Sequence, residues 1–330
     1  MKKVLIKLLI FSSPIIFIVL LYLILDPFKI IRNYDLYLSD FVMLHRGYIS
    51  TKMYIRNREK YHFDSFIFGS SHSCAHTSKD WKRYLHDDNE PFSYGSWSER
   101  ILGIERKLEV IDKLNDTIKN AIIIIDGSTF KSSEDPLAGE HYLITGDTKA
   151  QFHYYYFKQF LNLKMMLTCI DYRIFKRQRK YMKHFQGMKP GDLDPINNDW
   201  YRDIIPEDTL TYYKNAMHRF YKRPEIQQCY PQKIEPFEVT ILKKIKTIFD
   251  KHGTNYKLVI APLYDQKKIH PEDLRVLTEI FGKNSIYDYS GINDITSNMY
   301  NYNEDVFHYR YKVGKRIYRD ICSGSQSTNK

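Results

Sequence analysis

Two short stretches near opposite ends of the chain carry residues whose types and spacing suit nucleophilic catalysis. The first is a short apolar run, Ser65 to Phe68, that continues directly into Gly69-Ser70-Ser71 and then into polar residues. A serine at such a strand-to-helix turn exposes its hydroxyl, and its backbone N–H lies where a helix N-terminus stabilises developing negative charge. The run therefore predicts a buried strand that ends in a reactive serine.

The second stretch supplies the groups that such a serine needs. A hydroxyl alone is a poor nucleophile and requires a base that a third group holds in place. Asp305 stands three residues before His308, so both side chains fit within one tight turn. In that arrangement the carboxylate fixes the tautomer and the orientation of the imidazole. A helix-like run, Lys315 to Ile321, follows shortly after Gly314.

Together the two stretches resemble the SGNH (GDSL-type) hydrolase superfamily, whose first block is a strand ending in Gly-x-Ser and whose last block is Asp-x-x-His. The resemblance makes Ser71 the nucleophile, His308 the general base and Asp305 its orienting acid. The Gly-Ser-Ser form, with a membrane-anchored amino terminus, is similar to the branch that includes the D-alanyl transfer protein of teichoic acid synthesis and the alginate acetylation proteins.

The same resemblance implies an oxyanion hole, with one departure from the family pattern. The family's second block is a glycine after the second strand, which matches Gly95 and implies that its N–H acts with that of Ser71. The third block normally carries an asparagine, but here the strand end reads Asp126-Gly127-Ser128-Thr129. Either Ser128 or a backbone N–H replaces the asparagine, or the oxyanion hole is incomplete.

The apolar pattern along the chain predicts an α/β fold. We expect strands near residues 65–68, 92–94, 121–125, 257–261 and 286–288, alternating with amphipathic helices. They should form a three-layer, doubly wound, mainly parallel sheet of the SGNH or flavodoxin-like kind. The region of about 131–235 lacks this alternation, which predicts a helical cap inserted over the carboxyl ends of the strands. Its aromatic stretch, His153 to Phe157, we interpret as the packed core of the cap.

The amino terminus predicts a single membrane anchor. Val4 to Leu25 is an almost wholly apolar run of the length that crosses a bilayer, since about 20 residues are needed. Lys2, Lys3 and Lys7 favour a cytoplasmic amino terminus, with the remainder outside. A cleaved signal peptide is the alternative, although no small-x-small cleavage site follows. The predicted organisation is an N-terminal transmembrane anchor at 1–25, a membrane-proximal connector at 26–61, an SGNH-like domain at 62–322 and a disordered tail at 323–330.

The charge composition limits the classes of binding partner that we expect. The 330 residues include 50 Lys and Arg against 39 Asp and Glu, a net charge of +11. That charge suits an anionic membrane surface or an acidic polymer, and export from the cytoplasm argues against nucleic acid. We predict no cofactor and no metal. His72 and His76 lack a neighbouring set of carboxylate ligands, so we interpret them as surface or site-lining histidines.

The four cysteines leave two questions open. Disulfides are permitted in an exported chain, and Cys74, Cys169, Cys229 and Cys322 allow three pairings. The sequence does not choose among these pairings. Cys74 is a possible nucleophile, but it lacks the strand-to-turn position that Ser71 occupies.

Together with the apolar amino terminus, the resemblance predicts an extracytoplasmic, membrane-anchored serine esterase or O-acyltransferase with a Ser-His-Asp triad. The resemblance alone implies the substrate, which would be acyl groups, such as acetyl, of a cell-surface polysaccharide. Trp97, two residues past Gly95, would either stack on a sugar ring or belong to the core or the rim of the site. The alternative is a catalytically silent SGNH scaffold that binds glycan or partners a membrane acyltransferase. The missing asparagine favours the scaffold, whereas the presence of Ser71, Asp305 and His308 opposes it.

Overall fold

The protein was analysed as a computed structural model, which describes residues 2–130, 149–185, 187–188, 191–200 and 209–322. The chain divides into two compact units. The smaller comprises Met1–His45 and Gly146–Leu193, and the larger comprises Arg46–Thr145 and Asp194–Lys330. The candidate catalytic residues all belong to the larger unit.

Five strands and a series of helices make up the described residues. The strands are β1 (Ser65–Gly69), β2 (Pro91–Ser93), β3 (Asn120–Ile125), β4 (Asn255–Ile260) and β5 (Ile286–Asp288). The α-helices are α1 (Lys2–Leu25), α2 (Arg46–Tyr61), α3 (Ser78–Lys82), α4 (Ile101–Lys113), α5 (Lys149–Phe160), α6 (Leu163–Phe175), α7 (Thr209–Ala216), α8 (Pro236–His252), α9 (Pro271–Phe281), α10 (Asp294–Ser297) and α11 (Tyr311–Cys322). A 3-10 turn, Ser71–Ala75, follows β1 directly.

The strands of the larger unit form one parallel sheet in the order β2-β1-β3-β4-β5. This confirms the predicted α/β class and all five predicted strands. Strands β1 and β3 occupy the interior of the sheet and are apolar at nearly every position, as expected of strands covered on both faces. The order is that of doubly wound folds, in which the carboxyl ends of the strands carry the functional groups.

Helices cover both faces of this sheet, which gives three layers. On one face, Ile67, Ile122, Ile124 and Val259 join a buried cluster with residues of α3 and α11. On the other face, Phe66 contacts the ring of Tyr54 in α2, with ring centroids 5.6 Å apart. There Tyr256 also stacks on Phe249 of α8 at 4.9 Å. The alternation of side chains along each strand thus feeds two separate apolar cores.

Two glycines allow the close packing that sets the position of the nucleophile. Gly69 ends β1 at φ +147°, and a Cβ there would lie 2.9 Å from both Cβ and the carbonyl oxygen of Ile124. Gly314 brings α11 against the 3-10 turn, where a Cβ would lie 1.9 Å from the carbonyl oxygen of Ala75. The sheet and α11 therefore clamp the turn that begins at Ser71 from two sides.

Aromatic contacts hold the smaller unit together. Tyr22 of α1 packs on Phe157 and Phe160 of α5, with ring centroids 5.3 and 5.4 Å apart. Phe41 stacks on Tyr172 of α6 at 4.2 Å. Part of the aromatic stretch His153–Phe157 thus lies in a packed core, as its composition suggested.

The predicted membrane helix, connector, cap and tail are compared with the structure next. In the part of the chain that is described, no helix has both the length and the apolarity that a membrane crossing requires, so the predicted transmembrane helix is unsupported. The predicted connector is divided, since α2 belongs to the larger unit. Of the predicted cap at 131–235, residues 131–148, 186, 189–190 and 201–208 lie outside the described residues. Its described residues from Lys149 to Leu193 belong to the smaller unit, and those from Asp194 onward belong to the larger. The predicted tail at 323–330 lies outside the described residues.

Candidate functional site

Ser71, His308 and Asp305 meet in a hydrogen-bonded chain. Ser71 Oγ lies 2.7 Å from Nε2 of His308. Nδ1 of the same ring lies 2.9 Å from Oδ2 of Asp305. Because a carboxylate only accepts, Nδ1 carries the proton, which leaves the Nε2 lone pair facing the serine hydroxyl. This is the geometry of an activated serine nucleophile.

The turn that carries Ser71 is shaped by its neighbour Ser70. The hydroxyl of Ser70 accepts a hydrogen bond from the backbone N–H of His72 at 3.3 Å and so caps the 3-10 turn. Ser71 is the first residue of that turn, so its own N–H has no acceptor within the turn. Among the described residues no backbone hydrogen bond uses the Ser71 N–H. That donor is therefore available to an oxyanion.

Gly95 lies beside the same turn, as the resemblance implied. A Cβ at Gly95 would lie 2.4 Å from Oγ of Ser73 and 3.1 Å from the carbonyl oxygen of Gly69, so a larger residue would displace the Ser73 hydroxyl and crowd this carbonyl. Hydrogen bonds to β1 from both neighbours hold the segment: Tyr94 N donates at 2.8 Å and Ser96 N at 3.1 Å. Between described residues, the N–H of Gly95 makes no backbone hydrogen bond. It is the second available donor.

A buried lysine supports the Gly95 peptide. Lys107 of α4 is fully buried, pairs with Glu99, and donates from Nζ to the carbonyl oxygen of Tyr94 at 3.0 Å. In a trans peptide the carbonyl and the N–H point in opposite directions, so this bond fixes where the Gly95 N–H points. Sequence reasoning missed Lys107, because its position on a helix resembles that of an ordinary solvated lysine.

Ser128 and Trp97, the two predicted substrate-binding residues, both make contacts within the protein. The hydroxyl of Ser128 donates to Oδ1 of Asp126 at 2.5 Å, and its N–H donates to the same oxygen at 2.7 Å. With its proton committed there, Ser128 does not replace the missing asparagine as an oxyanion donor. Trp97 packs against Trp200, with ring centroids 5.5 Å apart, and is half-buried. That contact fits the rim interpretation better than an open stacking platform.

The turn that carries His308 is strained and is held mainly through its backbone. Val306 adopts φ +54°, a left-handed conformation that is unfavourable for a β-branched residue. Oδ1 of Asp305 accepts the N–H groups of Phe307 and His308, both at 3.0 Å. The Phe307 side chain is 69% exposed, so in this turn it is Val306 that packs against the buried core. Asp305 thus orients His308 through two backbone bonds as well as through the ring.

A second acid–histidine pair, which the sequence did not reveal, lies next to the triad. Nδ1 of His72 lies 2.8 Å from Oδ2 of Asp126, and its Nε2 lies 2.9 Å from the carbonyl oxygen of Phe307. The rings of His72 and His308 stack at 5.2 Å. His72 is therefore a site-lining histidine, as expected. The available signal was position, because Asp126 and His72 follow the carboxyl ends of adjacent strands.

The charge states around this pair have clear physical causes. Hydrogen bonds and ion pairing from His72, with further bonds from Ser128 and Ser70, outweigh burial and hold the pKa of Asp126 well below its usual range. Burial opposes a charge on His72, but Asp126 and the Phe307 carbonyl prevail and raise its pKa. Burial lowers the pKa of His76 to about 3, so this ring is neutral. Nε2 of His76 lies 2.9 Å from the hydroxyl oxygen of Tyr309. His76 is buried, so it is a core residue rather than a surface histidine.

An open depression with an empty volume of about 240 Å³ adjoins the triad. Its lining includes Ser71, Cys74, Asn303, His308 and Arg310. A larger cavity of about 410 Å³ opens at the ends of β3 and β4, but Ser71 is not part of its lining.

The cysteines and the groups that could bind a metal ion are placed as follows. All four cysteines lie within the described residues, and none is disulfide-bonded. Cys74 lines the depression beside Ser71, and it is Ser71 whose Oγ lies 2.7 Å from Nε2 of His308. Among the residues that the structure describes, no cluster of three or more His, Cys, Asp or Glu side chains is arranged to hold a metal ion.

Comparisons with known proteins add no assignment to this geometry. No protein-family model matches the chain, and no curated protein is significantly similar to it.

Proposed function

We propose that this protein is a serine esterase or O-acyltransferase that acts through Ser71, His308 and Asp305. The observation that carries the proposal is the distance of 2.7 Å between Ser71 Oγ and His308 Nε2, in a ring whose opposite nitrogen donates to Asp305. The resemblance to SGNH hydrolases supports it. Asp305 and His308 meet a serine that lies 237 positions before His308, and catalysis accounts for that arrangement.

The chemistry follows from the geometry. Ser71 attacks the acyl carbonyl while Nε2 of His308 takes the hydroxyl proton, and Asp305 stabilises the imidazolium that forms. The N–H groups of Ser71 and Gly95 stabilise the oxyanion. His308 then returns the proton to the departing alcohol. Water, or the hydroxyl of an acceptor sugar, removes the acyl group from Ser71 in the second half of the cycle.

For the substrate we propose acyl groups, such as acetyl, on a cell-surface polysaccharide. The net charge of +11 supports an acidic polymer, and the depression beside Ser71 offers the acyl group a place next to the nucleophile. An extracytoplasmic location with a membrane anchor at 1–25 remains a proposal that rests on the apolar run Val4–Leu25. Protease added to intact cells stripped of their outer wall tests it, since digestion of the catalytic domain requires an external location.

Turnover of a small acetyl ester tests the activity. Wild-type protein should hydrolyse p-nitrophenyl acetate, and Ser71→Ala and His308→Gln should each remove that activity at unchanged thermal stability. Ser290→Ala is a matched control, because Ser290 is a buried serine of the same unit that bonds Asp288 instead of a catalytic base. Adding deacetylated polysaccharide should divert the acyl group from water to the glycan if the enzyme is a transferase.

A silent scaffold is the second candidate, and one observation favours it. Ser128 is bonded to Asp126, so the site lacks the third oxyanion donor of the family. Loss of one such donor costs about 10²–10³ in kcat in other enzymes, which weakens catalysis without abolishing it. Wild-type protein with no ester turnover and no reaction with a fluorophosphonate would favour the scaffold that binds glycan or partners a membrane acyltransferase.

A further inference from the structure

Each ring nitrogen of His72 faces an oxygen that only accepts hydrogen bonds. The Ser70 hydroxyl also lies 3.1 Å from Nδ1, but it donates its one proton to Asp126. Oδ2 of Asp126 faces Nδ1 of His72 at 2.8 Å, and the carbonyl oxygen of Phe307 faces Nε2 at 2.9 Å. A neutral imidazole has a single N–H and satisfies one of these contacts, whereas an imidazolium satisfies both. The His72 ring therefore carries two protons and a positive charge.

Asp126 is built to hold that charge. Besides His72, it accepts hydrogen bonds from the N–H and the hydroxyl of Ser128 and from the hydroxyl of Ser70. Its side chain is 2% exposed and that of His72 is 14% exposed. An acid with this many donors stays ionised, and a buried ion pair with all its partners in place keeps a fixed geometry.

The carbonyl that His72 holds belongs to the turn of the catalytic base. Phe307 directly precedes His308, and the turn includes the strained Val306 at φ +54°. The Phe307 side chain is largely exposed and does not anchor the turn by packing. Backbone bonds also hold the turn, including one from Asn303 N to the His308 carbonyl at 2.9 Å. The bond from His72 adds a charged donor at the Phe307 carbonyl, next to the His308 ring.

We propose that His72, held as an imidazolium by Asp126, is a positioning residue that fixes the Asp305–His308 turn through the Phe307 carbonyl and biases the charge of His308. The inference rests on the proposed function, because the ring it positions is the proposed general base. The two rings stack at 5.2 Å with planes 27° apart. A positive His72 therefore opposes protonation of His308 and keeps it available as a base.

The raised pKa of His72 agrees with this role, and its surroundings set the pH window. The titratable groups that face the His72 ring come from three segments. They are Asp126 after β3, His76 in the segment that follows β1, and Asp305, His308 and Tyr309 in and directly after the Asp305–His308 turn. The pKa of His72 is raised above the ordinary value for histidine. The positive charge is therefore fully present at a pH below that ordinary value, and it is lost as the pH rises through the raised pKa. The restraint should fail on the alkaline side.

Hydrogen exchange tests the restraint without requiring activity. In His72→Ala, the amides of Phe307 and His308 should exchange faster than in the wild type, because the turn opens. His252→Ala is the matched control, since His252 also pairs with an aspartate, Asp112, at 2.8 Å. Wild-type exchange rates at these amides in His72→Ala would overturn the proposal. Ring nitrogen NMR should show two N–H groups on His72 at neutral pH, and a neutral ring would also overturn it.

Kinetics test the effect on the base. His72→Ala should lower kcat by about 10- to 100-fold with KM nearly unchanged, since a shift of about 1 Å costs up to 10²-fold. His72→Gln keeps a donor near the Phe307 carbonyl but removes the charge. It should restore most of kcat, and the acid limb of its kcat/KM profile should move to higher pH by roughly one unit.

The outcomes separate this inference from the proposed function. If wild-type protein shows no turnover, the proposed function fails, and hydrogen exchange still decides whether His72 holds the turn. If His72→Ala does not fold, His72→Gln decides. An unmoved acid limb in His72→Gln would overturn the role of the charge, and the predicted shift would support it.

Discussion

Gly314→Ala should damage catalysis from a helix that contributes no catalytic residue. A Cβ at this position would lie 1.9 Å from the carbonyl oxygen of Ala75, whereas real Cβ atoms essentially never approach within 3.0 Å. The helix α11 or the 3-10 turn must therefore move by about 1 Å. Because α11 starts three residues after His308 and the turn starts at Ser71, the movement should lengthen the 2.7 Å contact between them.

The expected magnitudes follow from that displacement. A misplacement of about 1 Å lowers kcat/KM by up to 10²-fold. Overpacking a closed contact also lowers the free energy of unfolding by about 1–3 kcal/mol. Ester hydrolysis and urea denaturation measure the two effects, with Lys315→Ala as the exposed neighbouring control on the same helix. Wild-type turnover in Gly314→Ala, at any stability, would refute the claim that α11 sets the position of the site.

Three further perturbations test other parts of the account. Asp305→Asn should lower kcat by about 10²–10⁴-fold with little loss of stability, because an amide no longer fixes the tautomer of His308; ester kinetics and thermal melting measure this, and unchanged kcat contradicts it. Lys107→Met should destabilise the fold by about 3–5 kcal/mol, because Glu99 is left buried and unpaired. Adding Glu99→Gln should recover stability but not kcat, and recovery of both in urea and ester assays would exclude a role for Lys107 in orienting the Gly95 peptide. His76→Gln tests the dependence of stability on pH. Between about pH 6.5 and 3, His76 binds a proton in the unfolded wild type but not in the folded protein. The free energy of unfolding of the wild type should therefore fall by about 2 kcal/mol from pH 7 to 5. Urea titrations should show a smaller fall in the variant, and an equal fall would assign the acid sensitivity to other groups.

The sheet was predictable from the sequence because its strands are short apolar runs. Residues 121–125 are wholly apolar, and that pattern suits a strand covered on both faces. Glycine and aspartate at the ends of β1 and β3 marked the edge where functional groups collect. The pairing of Ser71 with His308 was predicted from the order of the two motifs along the chain and from their resemblance to the SGNH hydrolase blocks.

What the sequence did not reveal depends on contacts between distant side chains. Asp126 and His72 are 54 positions apart, and their contact requires the carboxyl ends of β1 and β3 to be adjacent. Lys107 is buried only because Glu99 and the Tyr94 carbonyl surround its amine. Local pattern does not encode these outcomes, because each depends on the assembled sheet.

The central claim is that Ser71 is a nucleophile activated by His308, and mapping the adduct of a fluorophosphonate probe tests it most directly. After labelling, proteolysis and mass spectrometry distinguish Ser71 from its neighbours Ser70 and Ser73 on the same turn. We predict a single adduct on Ser71 in the wild type, none in Ser71→Ala, and a labelling rate in His308→Gln that is lower by several orders of magnitude. An adduct on Ser70 or Ser73, or labelling of Ser71 that is unaffected by loss of His308, would contradict the account.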